Sequence, residues 1–145
     1  MNWDQYFMEM AELTARKSKD RSTKVGCVIV GEDDEVRSTG FNGFPRGVND
    51  DVEERHERPA KYKWTEHAER NAIYNAAKVG TPLKGCRIYV TLMSCSDCAR
   101  AIIQAGIVEV IYSKENTEKY LNVLCEEFDL AREMLEEAGV TIRSM

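Results

Sequence analysis

Apolar positions along the chain fall into two spacings, and the spacing separates helices from strands. Trp3, Tyr6, Phe7, Met10 and Leu13 recur at intervals of three and four, so residues 2–17 are predicted to form an amphipathic helix. A polar connection over 17–22 leads into Val25-Gly26-Cys27-Val28-Ile29-Val30, a short run that reads as a strand at 25–30. The turn Gly31-Glu32-Asp33-Asp34 returns the chain into a second strand near 35–40, making an antiparallel hairpin. Residues 48–64 are charged and read as a long irregular loop, which is uncommon in a small domain unless it has a function or is disordered.

From there strands and helices alternate. A helix at 66–79 is stopped by Gly80 and Pro82, and a strand follows at 86–91. A helix at 96–105 ends at Gly106 before a strand at 107–112. The stripe Leu121, Leu124, Phe128, Ala131, Leu135 and Ala138 defines a helix at 117–138, closed by Gly139, and 140–143 is a short final strand. Helices between successive strands favour parallel crossovers, so the predicted architecture is α/β, a mixed sheet of about five strands sandwiched between helices. The chain, 1–145, reads as a single domain, without internal repeat or linker.

Composition narrows the class. A length of 145 residues suits one domain, and 20 Lys+Arg against 25 Asp+Glu leaves a net charge of −5. Proteins that grip long nucleic acid by bulk electrostatics carry the opposite excess. No apolar run approaches the roughly 20 residues that span a bilayer. The start Met1-Asn2-Trp3-Asp4-Gln5 lacks the basic and apolar segments of a signal peptide, so the expected compartment is the cytoplasm. Five cysteines, an odd number, make a disulfide framework improbable. Cys27, Cys86 and Cys125 are predicted to be packing residues.

Cys95 and Cys98 differ, because Cys-x-x-Cys at a helix start places two sulfurs on one side of the first turn. Helix N-termini present free amides and partial positive charge, which stabilise thiolates. His67 opens the earlier helix within His67-Ala68-Glu69. Two thiolates and one imidazole supply three ligands for Zn²⁺ and leave the fourth tetrahedral position to water, the arrangement of a catalytic rather than a structural zinc. Zinc lowers the pKa of such a water from 15.7 to about 7. Glu69, two residues beyond His67, can reach that water without ligating the metal and serve as general acid and base. The other readings of these residues are a structural zinc knuckle and a redox Cys-x-x-Cys, and the redox one would leave His67 and Glu69 without a role.

His-x-Glu followed by Cys-x-x-Cys is the pattern of zinc nucleobase deaminases. The chain resembles the cytidine/deoxycytidylate deaminase superfamily and, within it, the deoxycytidylate (dCMP) deaminases. The narrower resemblance rests on Ser22-Thr23-Lys24-Val25-Gly26, Phe41-Asn42-Gly43-Phe44-Pro45-Arg46-Gly47, His67-Ala68-Glu69-Arg70-Asn71-Ala72-Ile73 and Thr91-Leu92-Met93-Ser94-Cys95-Ser96-Asp97-Cys98-Ala99. One departure is Ser94, where the family usually has proline; it removes no ligand but leaves the entry to the ligand helix less restricted.

The resemblance implies a three-layer α-β-α cytidine-deaminase-like fold and hydrolysis of dCMP to dUMP and ammonia. Zinc-bound hydroxide would attack C4 of the base, with Glu69 carrying protons to N3 and to the departing amine. It implies substrate contacts at Arg21, Ser22, Thr23, Asn42, Ala68 and Tyr120. It also implies a homo-oligomer, a hexamer in the family, regulated by dCTP and dTTP with Mg²⁺. The effector would sit on the loop carrying Gly43, Arg46, Gly47, Asn49 and Asp50. Two other readings share the zinc motif: a deaminase of the tRNA adenosine type, disfavoured by the net charge, and a non-catalytic, zinc-stabilised nucleotide-binding module.

Overall fold

The computed structural model describes all 145 residues. Five strands form one mixed sheet: β1 (Gly26–Val30), β2 (Val36–Phe41), β3 (Arg87–Val90), β4 (Glu109–Tyr112) and β5 (Thr141–Ser144). Their order is β2-β1-β3-β4-β5. β1 pairs antiparallel with both β2 and β3, whereas β3–β4 and β4–β5 are parallel. The parallel pairs follow from their connections, since α4 (Ser96–Gln104) links β3 to β4, and α6 (Leu121–Glu137) lies between β4 and β5.

Central β1 is buried along its whole length because both faces are covered. Val28, Val30, Tyr89 and Ile111 point to one face and pack on Phe7, Met8 and Ala11 of α1 (Trp3–Ala15). Cys27, Ile29, Ile88, Val90 and Val110 point to the other. There they meet Ala68, Ala72 and Ala76 of α3 (Ala68–Val79), Ala99 and Ile102 of α4, and Phe128, Ala131 and Leu135 of α6. The three layers are therefore one helix, the sheet, and three helices. No helix is long and apolar enough to cross a membrane.

Two glycines permit close packing of helix on strand. A methyl group on Gly26 would lie 2.2 Å from the Ala11 carbonyl oxygen of α1. One on Gly40 would lie 2.3 Å from the Ala68 carbonyl oxygen and 2.5 Å from the Ala72 amide nitrogen of α3. Gly40 thus seats α3 directly on β2, and with it the start of the helix where His67 and Glu69 reside.

The structure corrects three expectations. The stretch 48–64 is not wholly irregular: it holds a 3₁₀ turn, Glu53–His56, and the short helix α2, Lys61–Trp64. Phe44 stacks on His56 at 4.8 Å, and Arg55 lies over the Trp64 ring. The helix expected at 117–138 is two helices, α5 (Lys114–Glu118) and α6, interrupted at Tyr120, whose φ of −112° and ψ of 0° leave the helical region. Ser113 starts the first by accepting from the Asn116 amide, while the Tyr120 hydroxyl is tied to Thr23. Finally, Cys125 is exposed rather than packed, as is Leu121. The buried stripe of α6 runs through 128, 131 and 135, and residue 125 lies off it.

Candidate active site

His67 and Cys95 are the N-cap residues of α3 and α4, and Cys98 stands in the first turn of α4. Both helix starts lie at the same end of the sheet. The chain before α3 is pinned by a two-bond bridge, Gly43 N to Glu66 O at 3.0 Å and Glu66 N to Gly43 O at 2.8 Å. His67 Nδ1 then lies 3.4 Å from each cysteine Sγ. Zn–N of about 2.05 Å and Zn–S of about 2.3 Å at a tetrahedral angle require an N···S edge of about 3.5 Å. The donor set, its spacing and its mutual approach within 4.8 Å fit zinc.

The electrostatics of the three ligands agree. A hydrogen bond from the Cys98 thiol, together with His67 and the Cys98 amide, outweighs burial and lowers the Cys95 pKa to about 4. The same hydrogen bond and burial hold Cys98 well above the ordinary thiol value. The hydrogen bond between His67 and Cys95, against burial, raises the His67 pKa.

Glu69, 4% exposed, is the catalytic candidate. Burial pushes its carboxyl above the usual range, against the Ser94 hydroxyl and His67, which favour the ionised form. Ser94 is wholly buried, and its Oγ makes no well-aligned hydrogen bond. It acts on Glu69 as a nearby dipole. Ser94 stands just before Cys95, the N-cap residue of α4, which starts at Ser96.

A cavity of about 740 Å³ opens over this centre. Its wall includes His67, Ala68, Glu69 and Cys95, with Thr23, Asn42, Tyr120, Leu124 and Phe128. Of the sequence-derived substrate residues, Thr23, Asn42, Ala68 and Tyr120 therefore converge on the metal centre. Thr23 Oγ1 and the Tyr120 hydroxyl lie 2.9 Å apart. Asn42 accepts from the Val25 amide and donates to the Thr23 carbonyl, both at 2.8 Å, so its side chain also fastens the loop. Arg21 and Ser22 do not line the cavity: Arg21 pairs with Glu53 at 3.1 Å.

Asp20, Lys61 and Arg58 are among the lining residues that had no signal in the sequence. Asp20 and Lys61 form an ion pair at 3.2 Å, with side-chain exposures of 8% and 11%. Burial would raise the Asp20 pKa, but the Thr23 and Ser22 amides and Lys61 outweigh it and hold the carboxyl below its usual value. Arg58 lines the same cavity, makes a long 3.5 Å contact with Ser22 Oγ, and has no carboxylate partner. All three lie in stretches that read as charged loop.

A second cavity, of about 340 Å³, shares Asp20 and Thr65 with the first. Gly43, Arg46, Gly47 and Asp50 line it beside Lys17, Lys19, Phe44 and His56. Asn49 does not line it; its Oδ1 accepts from the Asp51 amide. Asp50 is paired with Lys19.

Fold and site together define an α/β protein with a candidate three-ligand metal cluster and an adjacent buried carboxylate. Residues 1–114 match the family model described as the cytidine and deoxycytidylate deaminase zinc-binding region. Human deoxycytidylate deaminase is 41% identical over 99% of this chain and 79% of its own length. An uncharacterised deaminase of Aliivibrio fischeri is 44% identical over 97% of this chain and 91% of its own. The dCMP deaminase of cyanophage S-TIM5, solved with dCMP and dUMP, superposes with a TM-score of 0.76 at 27% identity, covering 97% of this chain and 95% of that one. The chain belongs to the cytidine and deoxycytidylate deaminase family.

Proposed function

We propose that this protein hydrolyses dCMP to dUMP and ammonia. The observation that carries the substrate assignment is Arg58: an unpaired guanidinium lining the same cavity as the metal cluster and Glu69. A nucleotide places its base and its 5′-phosphate at opposite ends, and a cation without a partner suits the phosphate. The naming of the relatives as deoxycytidylate deaminases supports the same reading.

Zinc held by His67, Cys95 and Cys98 would polarise a water at neutral pH. Glu69 takes one proton of the water that attacks C4 and passes it to N3, then takes the other from the hydroxyl now on C4 and gives it to the exocyclic amine, which leaves as ammonia while the C4 carbonyl forms. Its burial suits this task, because bulk water does not compete for the proton between transfers. Thr23, Asn42 and Tyr120 form the wall between base and phosphate ends, and Leu124 and Phe128 keep water from the base. Arg21 and Ser22 lie outside this wall, Arg21 paired with Glu53 and Ser22 Oγ 3.5 Å from Arg58.

The proposal extends to regulation by dCTP and dTTP at the second cavity. There Arg46, Lys17 and Lys19 would face the triphosphate, accompanied by Mg²⁺, and Gly43 and Gly47 would leave room for it. Asn49 would act by shaping the loop. The working form is a cytoplasmic homo-oligomer.

Ammonia release by zinc-replete protein should be compared for dCMP, deoxycytidine, cytidine and tRNA, each with and without dCTP or dTTP and magnesium. Turnover of dCMP far above the nucleosides is expected, with Arg58→Ala raising KM for dCMP. Turnover of tRNA, or nucleotide binding without ammonia release, overturns the proposal.

A further inference from the structure

The ligand helix α4 begins in an unusual way. An N-cap side chain normally accepts from the first amides of its helix. Cys95 makes no well-aligned capping bond; its sulfur is turned to His67, to the Cys98 thiol and to the Cys98 amide, the third of the helix. The first amide is satisfied from elsewhere. Glu127, on α6 and 31 residues away in sequence, accepts from Ser96 N at 2.7 Å and from Ser96 Oγ at 2.5 Å, both through Oε1. A carboxylate at a helix N-terminus is favoured by charge and dipole alike, and its two bonds here are charge-assisted. Those bonds hold the Glu127 carboxyl below its usual value.

The tie falls at a critical place. Ser96 follows ligand Cys95 and precedes ligand Cys98 by two residues, so it carries the backbone from which both sulfurs project. The helix at the other end of the tie supplies Leu124 and Phe128 to the cavity wall, and Glu127 itself lines the cavity. One carboxylate therefore joins the metal-ligand turn to the wall that covers the substrate.

We infer that Glu127 is a positioning residue for the metal centre: it holds the first amide of α4, fixes the Cys95–Cys98 turn, and keeps that turn in register with the α6 wall. It touches neither the metal nor the reacting atoms. The inference rests on the zinc-site reading but not on the identity of the substrate.

The test uses full-length, zinc-loaded protein and two independent ways of cutting the tie. Glu127→Ala removes the acceptor. Ser96→Pro removes both donors while suiting the first helical position, and the extended backbone of Cys95 suits the residue before a proline. Zinc loss to a chromogenic chelator, the visible spectrum of the Co²⁺-substituted protein, and kcat and KM for dCMP are measured. Partners that orient ligands commonly contribute about 10–100-fold to metal affinity or activity, so each variant should lose zinc faster by about that factor. Each should shift the cobalt bands and lower kcat with little change in KM. The double variant should be no worse than either single one, because both remove the same interaction. Glu127→Gln, whose amide oxygen can still accept, should restore most of the lost zinc retention.

Unchanged zinc loss and cobalt spectra in both variants overturn the inference, whatever happens to their melting temperatures. A raised KM with unchanged kcat also overturns it, since Glu127 would then contact substrate. If Glu127→Ala fails to fold, Ser96→Pro decides alone. If dCMP is not turned over even by the parent protein, the zinc and cobalt readouts still decide, and only the substrate assignment falls.

Discussion

Replacing Asp20 with alanine breaks a largely buried ion pair in the cavity wall. Asp20 Oδ1 accepts from the Ser22 and Thr23 amides, each at 2.9 Å, and from Lys61 Nζ at 3.2 Å. Truncation leaves the Lys61 ammonium, 11% exposed, without an anion, and strips two amides of their acceptor. Breaking a buried pair by removing one partner costs about 3–5 kcal/mol. Lys61 borders the cavity and can recruit water, so the lower end, about 3 kcal/mol, applies. For a domain of this size, each kcal/mol shifts Tm by about 2–4 °C, giving a fall of about 10 °C. Thermal unfolding followed by circular dichroism reads this directly. Lys61→Met should cost less, because the two amides still satisfy Asp20. The double variant should fall short of the sum by about 1.5 kcal/mol or more. A shift of under about 3 °C for Asp20→Ala, or simple additivity, would refute the reasoning.

Three further outcomes are expected. Gly40→Ala drives a methyl into the α3 backbone at Ala68 and Ala72, and should destabilise by about 3 kcal/mol or more and reduce zinc content, as fluorescence-monitored urea unfolding and metal analysis would show. Cys98→Ala should lose most bound zinc and melt earlier, whereas chelator treatment of the parent should give the same drop in Tm, reversed by added Zn²⁺. Acid should unpick the N-terminal helix. A hydrogen bond from Arg143, against burial and aided by Tyr89, lowers the Asp4 pKa to about 2. An unfolded aspartate titrates near 3.9, so this stabilisation is full above about pH 4 and is lost as pH falls towards 2. Solvent screening limits it to about 1 kcal/mol, and Asp4→Asn should remove that part of the acid dependence in unfolding measured against pH.

Much of this was legible along the chain, and the reasons are local. His67, Glu69, Cys95 and Cys98 were readable because their roles depend on spacing within a single helical turn, and Gly80, Gly106 and Gly139 marked where helices stop. The sheet class followed from alternation of strands and helices. What escaped notice depends on distant partners. Tyr120 breaks the last helix while tied to Thr23, 97 positions earlier. Lys61 and Arg58 read as loop charges until α2 and the neighbouring turn bring them to the cavity. Glu127 reads as one of many acids on an exposed helix, and only the fold sets it against the unsatisfied start of α4. Cys125 misled because its residue type suggests burial, whereas its place on α6 lies off the packed stripe.

Proton transfer by Glu69 beside a three-ligand zinc is the central step of the proposed reaction. Its most direct test is ammonia release from dCMP by Glu69→Gln protein whose zinc content has been measured. General acid–base catalysis is worth about 10²–10⁴-fold, so the variant should keep one zinc per chain, still bind dCMP, and lose turnover by at least that factor. Full zinc occupancy with turnover near that of the parent would contradict the account.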